Sequence, residues 1–410
     1  MRIVVDVNHP AHVHYFKHFI WEMQEKGHDI LVTASEKDIS YALLDRYGIP
    51  YVKLGNYGTK ISSKAFNIPL LDYRMYKAVE NFKPDIFLGF GSIRTCHVSK
   101  VFDKPCIAFD DSEPSPLEHL LYVPFTDVIL TPSCFKKDFG NKHLRFNGYI
   151  ELSYLHKNQF RPNPDVLEEI GERPGSKFAL MRFVSWKAMH DVGKKGFDDK
   201  SKIEAVRKLE EIMPVYISSE GKLPTELEKN KVKVSPEKMH DILFYAHTFM
   251  GDSQTMTTEA ALLGTPAVRC NTFVGENDMG NFKELESEYG VIFNYVNPNE
   301  AIHKAVELCN TPDIKQEWEK RREKILGNKI DVTAFMVWFV ENYPQSFSEM
   351  KKHPIVPVTI TEKLNQKKLL QQIKKIQTLS SFLLHSHPRK RKILSFVCKY
   401  YQLDFSFYQC

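Results

Sequence analysis

No two cysteines in this chain form a CxxC pair. The seven (Cys96, Cys106, Cys134, Cys270, Cys309, Cys398 and Cys410) are scattered, so neither a zinc ribbon nor a disulfide framework is indicated. Buried, reduced thiols are expected instead. Long apolar runs are also missing: no stretch reaches the roughly 18–20 apolar residues that span a bilayer. The first residues, MRIVVDVNHPAH, lack the charged region, apolar run and cleavage site of a signal peptide. They read as a buried strand, and the cytoplasm is the expected location. No DxD element falls at a strand end in a metal-binding context, because Asp110-Asp111 and Asp198-Asp199 are adjacent pairs that point in different directions. Neither a metal nor a permanently bound cofactor is expected. No short-period repeat is evident.

What is present is unevenly charged. The net charge is +5, yet residues 351–400 hold twelve Lys/Arg against one acidic residue, Glu362. The rest of the chain is therefore net acidic, and nothing in it points to nucleic acid as a partner. In the basic tail, Leu364, Leu369, Leu370, Ile373 and Ile376 recur at helical spacing among lysines, ahead of the cluster Arg389–Lys392. A basic amphipathic helix suits an anionic membrane surface, so a peripheral contact through 351–410 is one reading. A helix packed back on the N-terminal half and a variable tail are the others.

A chain of 410 residues suggests two domains of about 150–200 residues plus an extension. RIVVDV, a helix ending near Gly27 and DILVTAS form a βαβ unit, and the alternation continues through IPYVKLG, DIFLGF, PCIAFD and DVILTPS. NHPAHVH, between the first strand and its helix, reads as a polar loop. FRPNPDVLEEIGERPGS, with three prolines and two glycines, reads as a boundary. A second series then runs through KFALMRF, PVYISSE, HTFMGDS, TPAVRC and GVIFNYV. The expectation is an α/β protein of two Rossmann-like domains facing a cleft, residues 1–160 and 175–330, followed by a helical basic extension, 331–410. Ligands in such folds sit at the carboxyl ends of the strands.

The richest loop there is GDSQTMTTEAALLGTP, residues 251–266. Gly251 lets the backbone turn closely. Ser253, Gln254 and Thr255 bring hydroxyl, amide and backbone donors to a helix N-terminus, where the free N–H groups and the dipole favour phosphate. Glu259, four residues after Thr255, shares its face and could accept the two hydroxyls of a ribose. Gly264 caps the helix. The plainer alternative is a capped helix of any α/β protein. After the strand KFALMRF, the loop carries Arg182, Lys187 and His190, cations able to neutralise a diphosphate leaving group. A solvated basic loop over Trp186 is the alternative.

This segment resembles the donor-binding signature of GT-B-fold enzymes, and is especially similar to non-hydrolysing UDP-N-acetylglucosamine 2-epimerases. Asp252, Ser253, Glu259, Ala260, Leu263, Gly264, Pro266 and Arg269 stand in matching positions, and NTFVGEN follows. The resemblance implies a UDP-sugar, with Ser253 on phosphate and Glu259 on ribose. To about residue 330 the chain also resembles the DUF354 family, grouped with glycosyltransferases but without an established reaction. NHPAHVHYFK, KPDIFLGFGS, RFVSWKAMHD and GDSQTMTTEAALLGTPA carry that match.

The opposite wall offers His9, His12 and His14, and the acidic loop Asp110, Asp111, Glu113 and Glu118. In GT-B enzymes that look like this one, the loop after the first strand faces the acceptor. His12, nearer the middle of that loop than His14, is then the expected general base, with Asp111 or Glu113 as alternatives. Helix-capping roles account equally for both loops. Ser92 of GFGS has a similar claim as a helix-start contact. The epimerases carry a catalytic Gly-Asp-Thr where this chain has Gly91-Ser92, which weighs against epimerisation.

The reading is a glycosyltransferase that moves a sugar from a nucleotide diphosphate to a glycan or lipid-linked acceptor, in surface polysaccharide synthesis. A UDP-sugar epimerase or hydrolase is the second reading, and a non-catalytic nucleotide-sugar-binding protein the third. The nucleobase, the acceptor and the oligomeric state are left open.

Overall fold

The computed structural model describes residues 1–56, 58, 61–185 and 195–352, with side chains left out for 61–66. Two wholly parallel sheets organise these residues. The first has seven strands: β1 (Arg2–Val7), β2 (Asp29–Ser35), β3 (Tyr51–Gly55), β4 (Ile86–Phe90), β5 (Cys106–Phe109), β6 (Val128–Pro132) and β7 (His143–Phe146). Their spatial order is β3-β2-β1-β4-β5-β6-β7. The second has five: β8 (Ala179–Phe183), β9 (Val215–Ser219), β10 (Thr248–Gly251), β11 (Ala267–Cys270) and β12 (Ile292–Tyr295), in the order β12-β11-β10-β8-β9.

The strands are short and apolar because helices cover both faces of each sheet. Ile3, Val4, Val5 and Val7 of β1 are all fully buried, as are Ile107 of β5 and Ile129 of β6. In each sheet the order reverses once, between β1 and β4 in the first and between β8 and β10 in the second. These switch points open crevices at the strand ends. The loops there begin at residues 8, 91, 184 and 252, so topology alone places these stretches at the crevices.

Three local features differ from the sequence expectation. NHPAHVH is not a loop: the first helix is Pro10–Glu25, and His12 and His14 belong to it. Pro10 supplies the preset φ favoured in a first turn, and His9 Nδ1 accepts the Ala11 amide at 3.2 Å, so the helix starts as early as the proline allows. The helix before β4 runs Ile61–Val79 and passes through Pro69, a residue that ordinarily starts or breaks a helix. HLRF forms an additional edge strand, β7, paired along β6 from Ile129↔His143.

After β12, the helices Pro298–Asn310 and Ile314–Asn328 close the second lobe, and the chain returns to the first. Helix Val332–Glu341 packs on Pro10–Glu25, where Glu341 pairs with Lys26 at 2.6 Å and His28 at 3.0 Å. The start of the expected extension is thus a helix of the first lobe. The rest of the basic tail, from residue 353, lies outside the described residues. No helix among the described residues is long and apolar enough to cross a membrane.

Candidate functional site

On the second lobe, helix Gln254–Leu263 begins three residues after β10 ends. Ser253 is extended and its Oγ accepts the Met256 amide at 3.3 Å, an N-cap. Gly264, with φ 75°, ends the helix in the left-handed conformation. The amides of Gln254 and Thr255 lie in the first turn, where no helical carbonyl can reach them. Gln254 Nε2 is buried without a hydrogen-bond partner among the described residues. Gly251 is required by the sheet itself: a Cβ there would stand 2.4 Å from the Arg182 carbonyl oxygen. Asp252 Oδ1 accepts the Val184 amide at 2.8 Å and so pins the loop after β8 to the end of β10.

Glu259 points from this helix into a buried polar knot. Its Oε1 accepts the Tyr154 hydroxyl at 2.6 Å and stands 2.9 Å from His240 Nε2. Burial alone would raise its pKa. The charge and hydrogen bond of His240, the Tyr154 hydroxyl and Arg182 outweigh that and hold it below the ordinary carboxylate value. Glu259 is therefore ionised at neutral pH, with both contacts on one oxygen. Arg182, at the end of β8, donates to Ser218 Oγ at 2.6 Å and to Glu220 Oε1 at 2.7 Å, while its Nε is buried without a partner among the described residues. Lys187 and His190 lie outside the described residues. Tyr154, His240 and Glu220 carried no sequence signal. The first two stand 105 and 19 positions from Glu259, and only the fold joins them.

On the first lobe, the centre of the switch point is an ion pair. Asp6 of β1 and Arg94 are fully buried, 2.6 Å apart. Ser92 Oγ and Thr33 Oγ1 each donate to Asp6 at 2.6 Å, and Arg94 also donates to Ser35 Oγ at 2.5 Å. Ser92 caps the helix Ile93–Val101 as well, so its hydroxyl serves the fold. His12 lies over this core with its ring 4.9 Å from Phe90 and 5.8 Å from Tyr15. Burial, then His9 and Arg94, keep its pKa well below the ordinary value, so the imidazole is neutral. Its Nδ1 is buried without a partner among the described residues. His14 is the histidine that touches the second lobe, edge-on to His240 at 4.7 Å. The Lys17 ammonium sits 4.5 Å above the Tyr47 ring, and burial lowers its pKa to about 8.

The acidic loop after β5 divides into three roles. Asp110 is buried and accepts from the Tyr122 hydroxyl and the Ser112 amide, with His119 Nε2 at 2.9 Å. Asp111 is half-buried, and burial together with the charge of Asp110 raises its pKa to about 7. Glu113 crosses to the other lobe: its oxygens lie 3.0 and 3.2 Å from the Gly280 amide, and Oε1 also accepts the Lys136 amide at 2.8 Å. A fourth carboxylate, Glu151, is buried at the start of the helix Leu152–Leu155. Burial, Asp111 and Glu259 raise its pKa well above the ordinary range. Tyr15 feels all three of Asp111, Glu151 and Glu259. Tyr15 also lies 5.9 Å from Tyr154, whose hydroxyl meets Glu259, so the first lobe reaches Glu259 through these two rings. Among the described residues, no group of three His, Cys, Asp or Glu is arranged to hold a metal ion.

Comparison with known proteins agrees with this architecture. An uncharacterized protein of Methanocaldococcus jannaschii is 23% identical over 277 residues, 65% of this chain and 80% of that protein. The UDP-GlcNAc 2-epimerase of Neisseria meningitidis, solved with UDP-GlcNAc, superposes with a TM-score of 0.57 at 13% identity, covering 83% of this chain and 99% of that one. The spinosyn rhamnosyltransferase SpnG, solved with spinosyn aglycone, gives 0.56 at 13% identity over 83% and 100%. The glycosyltransferase VinC, solved with dTDP, gives 0.55 at 12% identity over 83% and 99%. The fold is GT-B, shared by sugar transferases and sugar-nucleotide epimerases. Residues 1–307 match the family described as "Protein of unknown function (DUF354)", and the chain belongs to that family.

Proposed function

We propose that this protein is a glycosyltransferase that moves a sugar from a nucleoside diphosphate to a hydroxyl of a glycan or lipid-linked acceptor. One observation carries the reading. Tyr154 meets Glu259 of the second lobe through its hydroxyl and Tyr15 of the first lobe through its ring, 5.9 Å away, so the ionised donor-side carboxylate lies where the lobes meet, and the charge of Asp111, whose pKa is raised to about 7, reaches Tyr15. The diphosphate of a UDP-sugar rests at the start of Gln254–Leu263, on the first-turn amides, the Ser253 and Thr255 hydroxyls and the Gln254 amide. Glu259 takes the ribose hydroxyls through Oε2, since Oε1 is already shared by Tyr154 and His240. Arg182, with Lys187, meets the charge that develops on the β-phosphate.

Asp111 serves as the base. A carboxylate with pKa near 7 matches the operating pH of a general base. It takes the proton of the acceptor hydroxyl as that oxygen bonds to the anomeric carbon and the bond to the diphosphate breaks. His12, neutral and with no hydrogen-bond partner on Nδ1 among the described residues, orients the hydroxyl. A single displacement of this kind inverts the sugar. The basic tail is proposed as the contact with an anionic membrane, which co-sedimentation with anionic vesicles tests.

The epimerases among the structural relatives support a second reading. Asp111 and Glu151 are two carboxyls of raised pKa, as proton removal and return at a sugar carbon would require. A donor screen by thermal shift over UDP-, GDP-, dTDP- and CMP-sugars, followed by proton NMR of the best ligand, separates the two. Ligand at a hundred times its dissociation constant adds about 2.7 kcal/mol of stability. Transfer predicts UDP release that depends on an acceptor. C2 isomerisation without acceptor sinks it in favour of the second reading. Failure of every sugar nucleotide to bind sinks both.

A further inference from the structure

We infer that Glu113 is a positioning residue, a latch that closes the second lobe onto the first and so sets Asp111 against the donor; this role rests on the transfer reading above. Three independent contacts meet at one place. The Glu113 carboxylate caps the N-terminus of helix Gly280–Ser287, an element of the opposite lobe, with both oxygens near the Gly280 amide. The Lys136 side chain, from the same side as Glu113, donates to the Asp278 carbonyl just before that helix. Gly280 itself lies against the first lobe: a Cβ there would stand 1.8 Å from the Cys134 carbonyl oxygen and 3.2 Å from Glu113 Oε1. Only glycine lets the lobes approach this closely.

Charge explains why the capping group is an acid. A helix N-terminus presents unsatisfied amides and the positive end of the dipole, and a carboxylate answers both. Most such caps come from the chain just before the helix. This one comes from a residue 167 positions away, so the cap forms only when the lobes are together. Further along the helix, the Tyr149 hydroxyl donates to Glu284 Oε2 at 2.6 Å and Lys329 pairs with Oε1 at 2.6 Å. These lie at the crossings between lobes, where Asn147 Nδ2 donates to the Asn328 carbonyl at 2.7 Å. Glu113 thus grips the start of a helix whose Glu284 is held by Tyr149 and Lys329. Asp111 is two residues away on the same loop, so its place relative to the donor depends on that grip.

Glu113→Gln, Glu113→Ala and Gly280→Ala in the full chain test the latch. Gln keeps a carbonyl acceptor for the Gly280 and Lys136 amides, and Ala keeps none. Small-angle scattering of the ligand-free protein reads closure without any activity. The radius of gyration should rise in Glu113→Ala and Gly280→Ala and stay near wild type in Glu113→Gln. With donor and acceptor, kcat should fall roughly tenfold or more in the two open variants while the donor KM changes less than threefold, and Glu113→Gln should recover most of the loss. Where Gly280→Ala does not fold, Lys136→Met, which removes only the neighbouring amine contact, takes its place. Unchanged scattering in the open variants overturns the latch. So does a Glu113→Gln enzyme as inactive as Glu113→Ala, which would make Glu113 the base. If no sugar nucleotide is turned over, the transfer reading fails while the scattering still decides the latch.

Discussion

The two walls of the cleft are built in opposite ways. The wall proposed for the donor is local: within residues 251–264, a strand end, a serine cap, a ten-residue helix and a left-handed glycine form one continuous unit. The wall proposed for the acceptor is assembled from distant pieces. Asp6, Thr33, Ser35, Ser92 and Arg94 come from two strands and a helix to make a buried polar core, over which His12 and Tyr15 lie. A local site can be read as a motif and tolerates change in its surroundings. An assembled site has no motif and fails as a unit, because removing one partner leaves the others buried and unpaired.

The largest effect is expected on the acceptor wall, in catalysis. Asp111→Asn should lower turnover by about 10²–10⁴-fold, the usual contribution of a general base, with little change in donor affinity by calorimetry. In the wild type, kcat/KM should rise as pH passes through about 7, since Asp111 must be ionised to act. The groups acting on it are Asp110, Ser112, Glu113, Tyr15 and Glu151. The same shift affects stability. A carboxyl whose folded pKa is raised stabilises the fold at low pH, and that contribution is lost as pH climbs from about 4 to about 7. The melting temperature of Asp111→Asn should therefore gain on the wild type over that window and hold its lead above it. A difference that stays constant with pH would refute the raised pKa.

Next in size is the buried ion pair. Arg94→Met should destabilise the protein by about 3–5 kcal/mol in urea unfolding, because Asp6 is left charged and uncompensated. Asp6→Leu with Arg94→Met should lose much less. Equal losses in the single and double variants would show that the pair contributes attraction and not merely mutual neutralisation.

These cases show what was legible and what was not. Eleven of the twelve strands follow from short apolar runs between turn residues. The edge strand β7 did not, because HLRF has neither a sustained apolar run nor a β-branched residue. The donor helix and both its caps were legible because a helix end is a property of six or so consecutive residues. His12 was legible as a residue but not as a helical one, since Pro10 at the first helical position looks like loop until its neighbours are fixed. Glu151, Tyr154 and His240 were illegible: each is one polar residue in an ordinary helical segment, and its importance lies in which carboxylate it meets. Glu113 was read beside Asp111 as an alternative base, and its reach across the cleft was illegible because its partner stands 167 positions later.

On the donor wall, Glu259→Ala should weaken binding of a UDP-sugar by about ten- to a hundredfold, in keeping with the roughly 1.5–3 kcal/mol of hydrogen bonds to a charged group. Tyr154→Phe, which removes one of the two contacts on Oε1, should raise the donor dissociation constant by a smaller factor. Wild-type affinity in Glu259→Ala would remove the ribose from this residue.

The smallest effects compare two serines in the same local setting. Ser92 and Ser253 each follow a strand at a switch point and each cap a helix through the amide three residues on, both at 3.3 Å. By sequence they are equivalent, and a cap alone is worth about 1 kcal/mol. Ser253→Ala should cost that much in urea unfolding and little else. Ser92 also donates to Asp6 at 2.6 Å and accepts the Thr95 hydroxyl at 2.7 Å, all within a fully buried core. Ser92→Ala leaves Asp6 one donor short where water cannot replace it, so its cost should exceed that of Ser253→Ala by about 1–3 kcal/mol. The ligand reverses the order: a saturating sugar nucleotide should stabilise Ser92→Ala as much as the wild type but Ser253→Ala less, because only Ser253 is assigned to the phosphate. Equal costs for the two serines would mean that the acceptor wall is as local as the donor wall, and the contrast between them would not stand.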